Sequence, residues 1–349
     1  YQALAGGTNR ERIRGGRPVP DMGSARGRSW RVSDGTDSGI VGVVNTVDVM
    51  YPRSMPLGTP NRIEVSRVMP QRGLAMIGGW CVLDHFGPDA APLRMACHPH
   101  TCLQTVTWLF DGEIRHRDAL GSDELVHPGE VAIMTAGWGT THTEYSTPGP
   151  LHGVQLWTAL PNNVRFNQPG FEYFATEPVR MGDHEVAVFV GEFGDSDSPV
   201  QVYSPLCAAE IRFTTADPLE VEIPENWEFG VLADSGTVQV DDTEVPAGAL
   251  GYLAPGRRRL RLQAHANAGE IVRAIVIGGE PLGEDLIVWW AFVGHSHQEI
   301  AAWRANWQMA IGAEQDGDNP GNFPLTPRTD NEPELTAPSL PPVRLRPRR

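Results

Sequence analysis

Lysine is absent from this 349-residue chain; all 28 basic residues are arginine. The formal net charge is −15. Residues 1–31 hold seven arginines against Glu11 and Asp21, and the last eight residues hold four arginines and no acid. The middle is therefore more acidic than the total suggests. That excludes a basic groove for nucleic acid or an anionic-membrane face on the folded body. Cysteine is scarce: Cys81, Cys97, Cys102 and Cys207 form no Cys-x-x-Cys pair, too few for a disulfide scaffold, and a reducing, cytoplasmic setting is expected. No apolar run approaches the roughly 20 residues of a membrane helix, and no hydrophobic signal-type segment opens the sequence. Neither a nucleophile elbow nor a phosphate-loop pattern is present, Gly278-Gly279 included.

What is abundant is turn chemistry. Gly 38 and Pro 30 point to many turns and short strands. Ile40–Tyr51, Thr105–Phe110, Glu130–Met134, Val154–Trp157, Glu185–Val190, Thr237–Val240 and Glu270–Ile277 alternate in the manner of strands, so the fold class is expected to be all-β, of a sandwich or barrel kind. One helix is expected late: Ser296 and Glu299 form a capping box, and Ile300, Trp303 and Trp307 follow as one apolar stripe.

An internal repeat organises the rest. Gly129 to Gly137 (PGEVAIMTAG) and Gly248 to Gly256 (PAGALGYLAPG) span the same interval, and Gly112 and Gly236 precede them in matching turns. The expected division is a disordered arm at 1–35, a metal-binding barrel at 36–165, a connector at 166–185, a metal-free barrel at 186–290, a docked helix at 291–310 and a disordered Pro-rich tail at 311–349.

His98-Pro99-His100 places two imidazoles on one face of a strand, and His142-Thr143-Glu144 does the same with an imidazole and a carboxylate. Three nitrogens and one oxygen converging on one ion suit Fe(II), Mn(II), Ni(II), Cu(II) or Zn(II). Shifting by the repeat interval of the glycines puts Arg261 and Gln263 opposite His142 and Glu144, and the strand with Glu220, Glu222 and Pro224 has no His-x-His, so the second barrel is expected to hold no metal.

The ordered run Leu83-Asp84-His85-Phe86-Gly87-Pro88, His98-Pro99-His100, Thr105-Val106-Thr107, Pro128-Gly129, Met134-Thr135-Ala136-Gly137, His142-Thr143-Glu144 and Gly153–Trp157 resembles the pirin family of bicupins. Gly279–Glu284, Trp289–Val293 and Ser296–Ile300 resemble the end of that family's second cupin domain, and the likeness runs from about Val41 to Met309. It implies two facing barrels joined to a short C-terminal helix, with one metal, usually iron, held by His98, His100, His142 and Glu144. It also implies one of two functions. The first is a quercetin 2,3-dioxygenase-like activity on a small enolic, flavonol-like substrate, with Glu144 as proton acceptor. The second is a non-enzymatic, iron-responsive regulator that binds a transcription factor or metabolic enzyme, the arginines at 257–259 and 261 being one candidate surface. A monomer is expected.

The sequence departs from the family pattern at Thr101-Cys102-Leu103-Gln104, where a neutral Gln104 replaces an acid expected near the metal, at Trp138 between two glycines, and at Ala291. Strand alternation places Cys102, rather than Cys97, on the metal face.

Overall fold

The alternating segments fold into two antiparallel barrels of one design. The computed structural model describes residues 46–57, 63–88, 92–264, 271–314, 321–328 and 331–348; the arm at 1–35 lies outside them. In the first barrel a large sheet runs in the order Gly170–Ala175, Glu130–Thr135, Leu103–Asp111, His152–Ala159, Trp80–Phe86, Ile63–Met69 and Arg53–Leu57. It faces a small sheet ordered Arg94–His100, Thr140–Ser146, Ile114–Asp118 and Asp123–Val126. In the second barrel the large sheet runs Asp48–Met50, Leu250–Leu253, Glu228–Ser235, Val272–Gly279, Leu206–Phe213, His184–Phe193 and Val179–Met181, with Ser196–Asp197 beside His184–Phe193. Its small sheet is Leu219–Glu222, Arg259–Ala264, Val238–Val240 and Thr243–Val245.

The two large sheets pack against each other. Along Leu103–Asp111 the side chains of Val106, Trp108 and Phe110 join one interface core with Phe189, Leu206, Leu232 and Ile275 from the second barrel. Leu109 turns into its own barrel instead. A strand covered on both faces has no solvent side, which is why every residue of this one but Asp111 is buried. Trp108 stacks on Phe189 with ring centroids 4.5 Å apart, and its Nε1–H donates to Glu210 at 2.7 Å. The backbones meet at Gly78 and Gly279: a Cβ on Gly78 would lie 2.6 Å from the Gly279 Cα, so only glycine allows that approach. Each large apolar side chain buried here contributes about 1.5–3 kcal/mol, so the barrels form one core rather than hinged units.

Three expected boundaries move. The connector expected at 166–185 carries strands of both barrels: Gly170–Ala175 pairs with Glu130–Thr135 in the first and Val179–Met181 with His184–Phe193 in the second. The described part of the expected strand at Ile40–Tyr51, Asp48–Met50, pairs with Leu250–Leu253 of the second barrel. That edge corresponds to the one Gly170–Ala175 covers in the first barrel, so each edge is closed by a strand flanking its repeat. The tail is the third correction, since its described residues are docked. Phe323 and Ala337 are buried with Cys97, Phe292, Ile300 and Trp307. The Leu335 N–H donates to the Cys97 carbonyl at 2.9 Å, the Trp307 Nε1–H to the Leu335 carbonyl at 2.8 Å, and the Thr141 hydroxyl to the Pro324 carbonyl at 2.8 Å. The tail's described residues make no regular element, but they supply apolar cover to the first barrel, and their prolines reduce the entropy lost on docking.

The helix His297–Ala310 begins as expected, with the Glu299 N–H donating to the Ser296 hydroxyl at 3.2 Å. The Glu299 carboxylate does not return to Ser296; it accepts the His295 N–H at 2.8 Å and a two-bond fork from Arg165. Ile300 and Trp307 then pack against the first barrel through Cys97 and Phe292. All four cysteines are free and buried, and no helix among the described residues is long and apolar enough to cross a membrane.

Candidate metal centre

The strand Arg94–His100 pairs with Thr140–Ser146 so that His98 lies directly opposite His142. With His100 two residues along the same face, three imidazoles meet. Their Nε2 atoms are 3.1 Å apart for His98 and His100, 3.1 Å for His100 and His142, and 3.0 Å for His98 and His142. The other ring nitrogens explain the orientation. His98 Nδ1 donates to the Ala96 carbonyl at 2.9 Å and His100 Nδ1 to the Ala291 carbonyl at 3.1 Å, which leaves lone pairs on Nε2. Ala291 therefore acts through its backbone, and its side-chain departure from the family pattern leaves that bond intact. Burial pushes His98 down to about 4 and holds His100 and His142 well below the usual imidazole range. Three neutral imidazoles with converging lone pairs repel one another when alone. They form a ligand set for a borderline divalent cation, so the residues present fit a metal.

Glu144 stands one step aside. A register shift between His142 and Glu144 puts Glu144 opposite Met95, and such bulges re-aim side chains. Its carboxylate groups with His142 and His116 rather than with all three ligand imidazoles. It lies 3.2 Å from the Thr107 hydroxyl and also takes a hydrogen bond from Gln155, while burial pushes its pKa up. His116, which the spacing analysis does not single out, sits opposite Glu144 on Ile114–Asp118. It faces His142 Nδ1 at 3.4 Å, contacts Asp118 at 3.4 Å and stacks on Phe171. The signal for it is the alternation Ile114, His116, Asp118, all three buried on one face.

Two sequence expectations near this centre fail. Gln104 does not face the metal: it shares the outward face of its strand with Val106 and Trp108 and donates to Thr135 Oγ1 and to the Gln201 carbonyl, each at 2.9 Å. Cys102 has φ 58°, so the alternation that would put it beside His100 is broken. Its thiol packs with Cys81, Val82, Leu103 and Leu286, and burial pushes it up to about 12. Trp138 is 43 % exposed.

The second barrel refines the internal control. Ile114 pairs with Val126 and Ser146, and Val238 pairs with Val245 and Ala264. That register sets His142 and Glu144 against Leu260 and Leu262, one residue away from the assignment made on the glycine interval. His98 and His100 then match Val221 and Ile223. These four residues are buried in one apolar cluster, while Arg261 and Glu220 point outward and pair at 3.6 Å. A one-residue slip exchanges faces, so alignment on the glycines lands on the solvent side of this strand.

The description "Pirin" fits residues 62–158 and "Pirin C-terminal cupin domain" fits 208–311. A protein named "Putative quercetin 2,3-dioxygenase" from Pseudomonas aeruginosa is 39% identical over 254 residues, 70% of this chain and 79% of the relative. The chain belongs to the pirin family. Its two barrels are the family's two cupin domains, and all four expected ligands fall within the first matched region. A "Pirin-like protein" from Caulobacter vibrioides is 34% identical over 70% of this chain and 88% of its own length. A crystal structure of quercetin 2,3-dioxygenase from Acinetobacter baumannii superposes with a TM-score of 0.76 at 31% identity, covering 86% of this chain and 98% of that one.

Proposed function

We propose that this pirin-family chain is a metal-dependent dioxygenase acting on quercetin or a related flavonol-like enolic substrate, with Fe(II) as its metal. The observation that carries the reading is the triad of buried, neutral imidazoles whose Nε2 atoms converge at 3.0–3.1 Å. The likeness to two proteins that bear the quercetin 2,3-dioxygenase name supports it. His98, His100 and His142 would hold the metal, with Glu144 as a fourth ligand or as the neighbouring base. When bound, the metal supplies a Lewis-acidic, redox-active centre at which an enol oxygen and dioxygen can be brought together.

The chain's own part is proton handling. Glu144 is placed beside the ligand set, is buried, and has a raised pKa from that burial. A carboxylate so placed can accept the substrate hydroxyl proton and keep it, because desolvation favours its neutral form. Thr107 and Gln155 fix the carboxylate through their hydrogen bonds. The arginines named for the regulatory reading lie in ion pairs, Arg257 with Asp241, Arg258 with Glu225, and Arg259 and Arg261 with Glu220.

The test is elemental analysis of protein purified without added metal, followed by oxygen uptake with quercetin. Stoichiometric iron and turnover that Glu144→Gln reduces by 10²-fold or more are expected. Iron-loaded protein that consumes no oxygen with any flavonol overturns the reading.

A further inference from the structure

We infer that His85, His152 and Asp234 form a second cation site, in which a zinc-class divalent ion clamps the two barrels together. His85 Nε2 lies 2.7 Å and His152 Nε2 2.6 Å from Asp234 Oδ1, and the two nitrogens are 3.2 Å apart. Atoms about 3 Å apart are spaced like neighbouring ligands on an ion with bonds of about 2.0–2.2 Å, and two imidazoles with one carboxylate are a recurring donor set. None of these residues belongs to the first centre.

Hydrogen bonds alone leave this cluster unbalanced. Asp234 Oδ1 can accept from both rings only if each Nε2 carries a proton, and two N–H groups then crowd onto one oxygen from nitrogens 3.2 Å apart. An ion between the three atoms resolves this, with each ring's proton on Nδ1 and a lone pair on Nε2. The carboxylate is already aimed for it. Arg273 Nη1 donates to Asp234 Oδ2 at 2.9 Å, which leaves Oδ1 toward the rings, while Arg273 Nε holds Glu210 at 2.9 Å and its guanidinium lies over Phe110. The His85 and His152 side chains are 9% and 13% exposed, so solvent reaches the cluster.

The fold itself builds the cluster. Both barrels carry a bulge at matching places, where Phe110 and Asp234 are the residues passed over in the pairing. The same register sets His85 against Glu210 and His152 against Arg273. Equivalent positions of the two repeats therefore meet across the interface, and one repeat supplies imidazoles while the other supplies the carboxylate.

The test uses the full-length chain, stripped with a chelator and titrated with Zn2+ alone. Wild type should bind two equivalents, His142→Leu one, and His142→Leu combined with His152→Gln none. The equivalent retained by His142→Leu should raise the melting temperature, because it binds only the docked barrels. His152→Gln should remove that rise and leave the metal-free melting temperature in place. If His152→Gln fails to fold, His85→Gln serves the same purpose. A His142→Leu chain that binds no Zn2+, or one whose binding is undiminished by His152→Gln and by His85→Gln, overturns the site.

Discussion

The two barrels share strand order, hairpin register and the position of a bulge, yet their centres are opposite in character. The first closes on His98, His100, His142 and Glu144; the second closes on Val221, Ile223, Leu260 and Leu262 at the same positions. The scaffold therefore needs no polar centre to fold. Buried imidazoles without a cation carry a desolvation cost that the apolar twin avoids, so the polar centre is retained for what it binds.

The strongest break in that comparison is Leu260→His. It places an imidazole among Val221, Ile223 and Leu262 with no partner, and should destabilise the protein by about 3–5 kcal/mol. A denaturation midpoint within error of wild type would show that the second centre tolerates polarity after all.

Acid should separate the barrels next. Folding lowers the pKa of His98, His100 and His142, so below about pH 6.5 the unfolded chain binds protons that the fold excludes. In metal-free protein, stability should then fall as the pH drops from 6.5 toward 4, by about 1.4 kcal/mol per pH unit for each imidazole kept neutral. Hydrogen exchange at pH 5 should show lost protection in Arg94–His100 and Thr140–Ser146, and none in Leu219–Glu222 or Arg259–Ala264. Equal loss in both small sheets would count against the assignment.

Phe323→Ala tests the tail that only the first barrel has. Phe323 is buried against Trp307 and Phe292, so its truncation should cost about 3 kcal/mol and lower the melting temperature by several degrees. An unchanged melting curve would mean that the tail lies on the barrel without stabilising it.

His142→Leu copies the twin into the first barrel. Metal should be lost from the first centre by elemental analysis, while the metal-free protein keeps its stability or gains about 1 kcal/mol from relieved desolvation. Full retention of metal at that centre would remove His142 from the ligand set. The smallest effect is expected at Arg261→Ala: its pair with Glu220 is solvent-exposed and worth less than about 0.5 kcal/mol by thermal melting.

Much of the first centre was legible because its chemistry is local. His-x-His and His-x-Glu are two-residue periods, and strand geometry alone puts such pairs on one face. The all-β class, the repeat and the helix cap were legible for the same reason, since alternation, turn glycines and a Ser-x-x-Glu spacing act over a few residues. Tertiary structure decided what depends on register and distance. The loop before Arg259–Ala264 is one residue shorter relative to its strand than the loop before Thr140–Ser146, and that slip alone chose Leu260 over Arg261 as the twin of His142. The bulge beside Glu144 turned its carboxylate toward His116 and Thr107, and the positive φ at Cys102 took its thiol away from the imidazoles. His85, His152 and Asp234 are 67 and 82 residues apart along the chain, and the Pro-rich tail seats beside Cys97 of the first barrel, far earlier in the chain. No periodicity links such groups; the histidines meet Asp234 because two independently patterned sheets bury their apolar faces against each other.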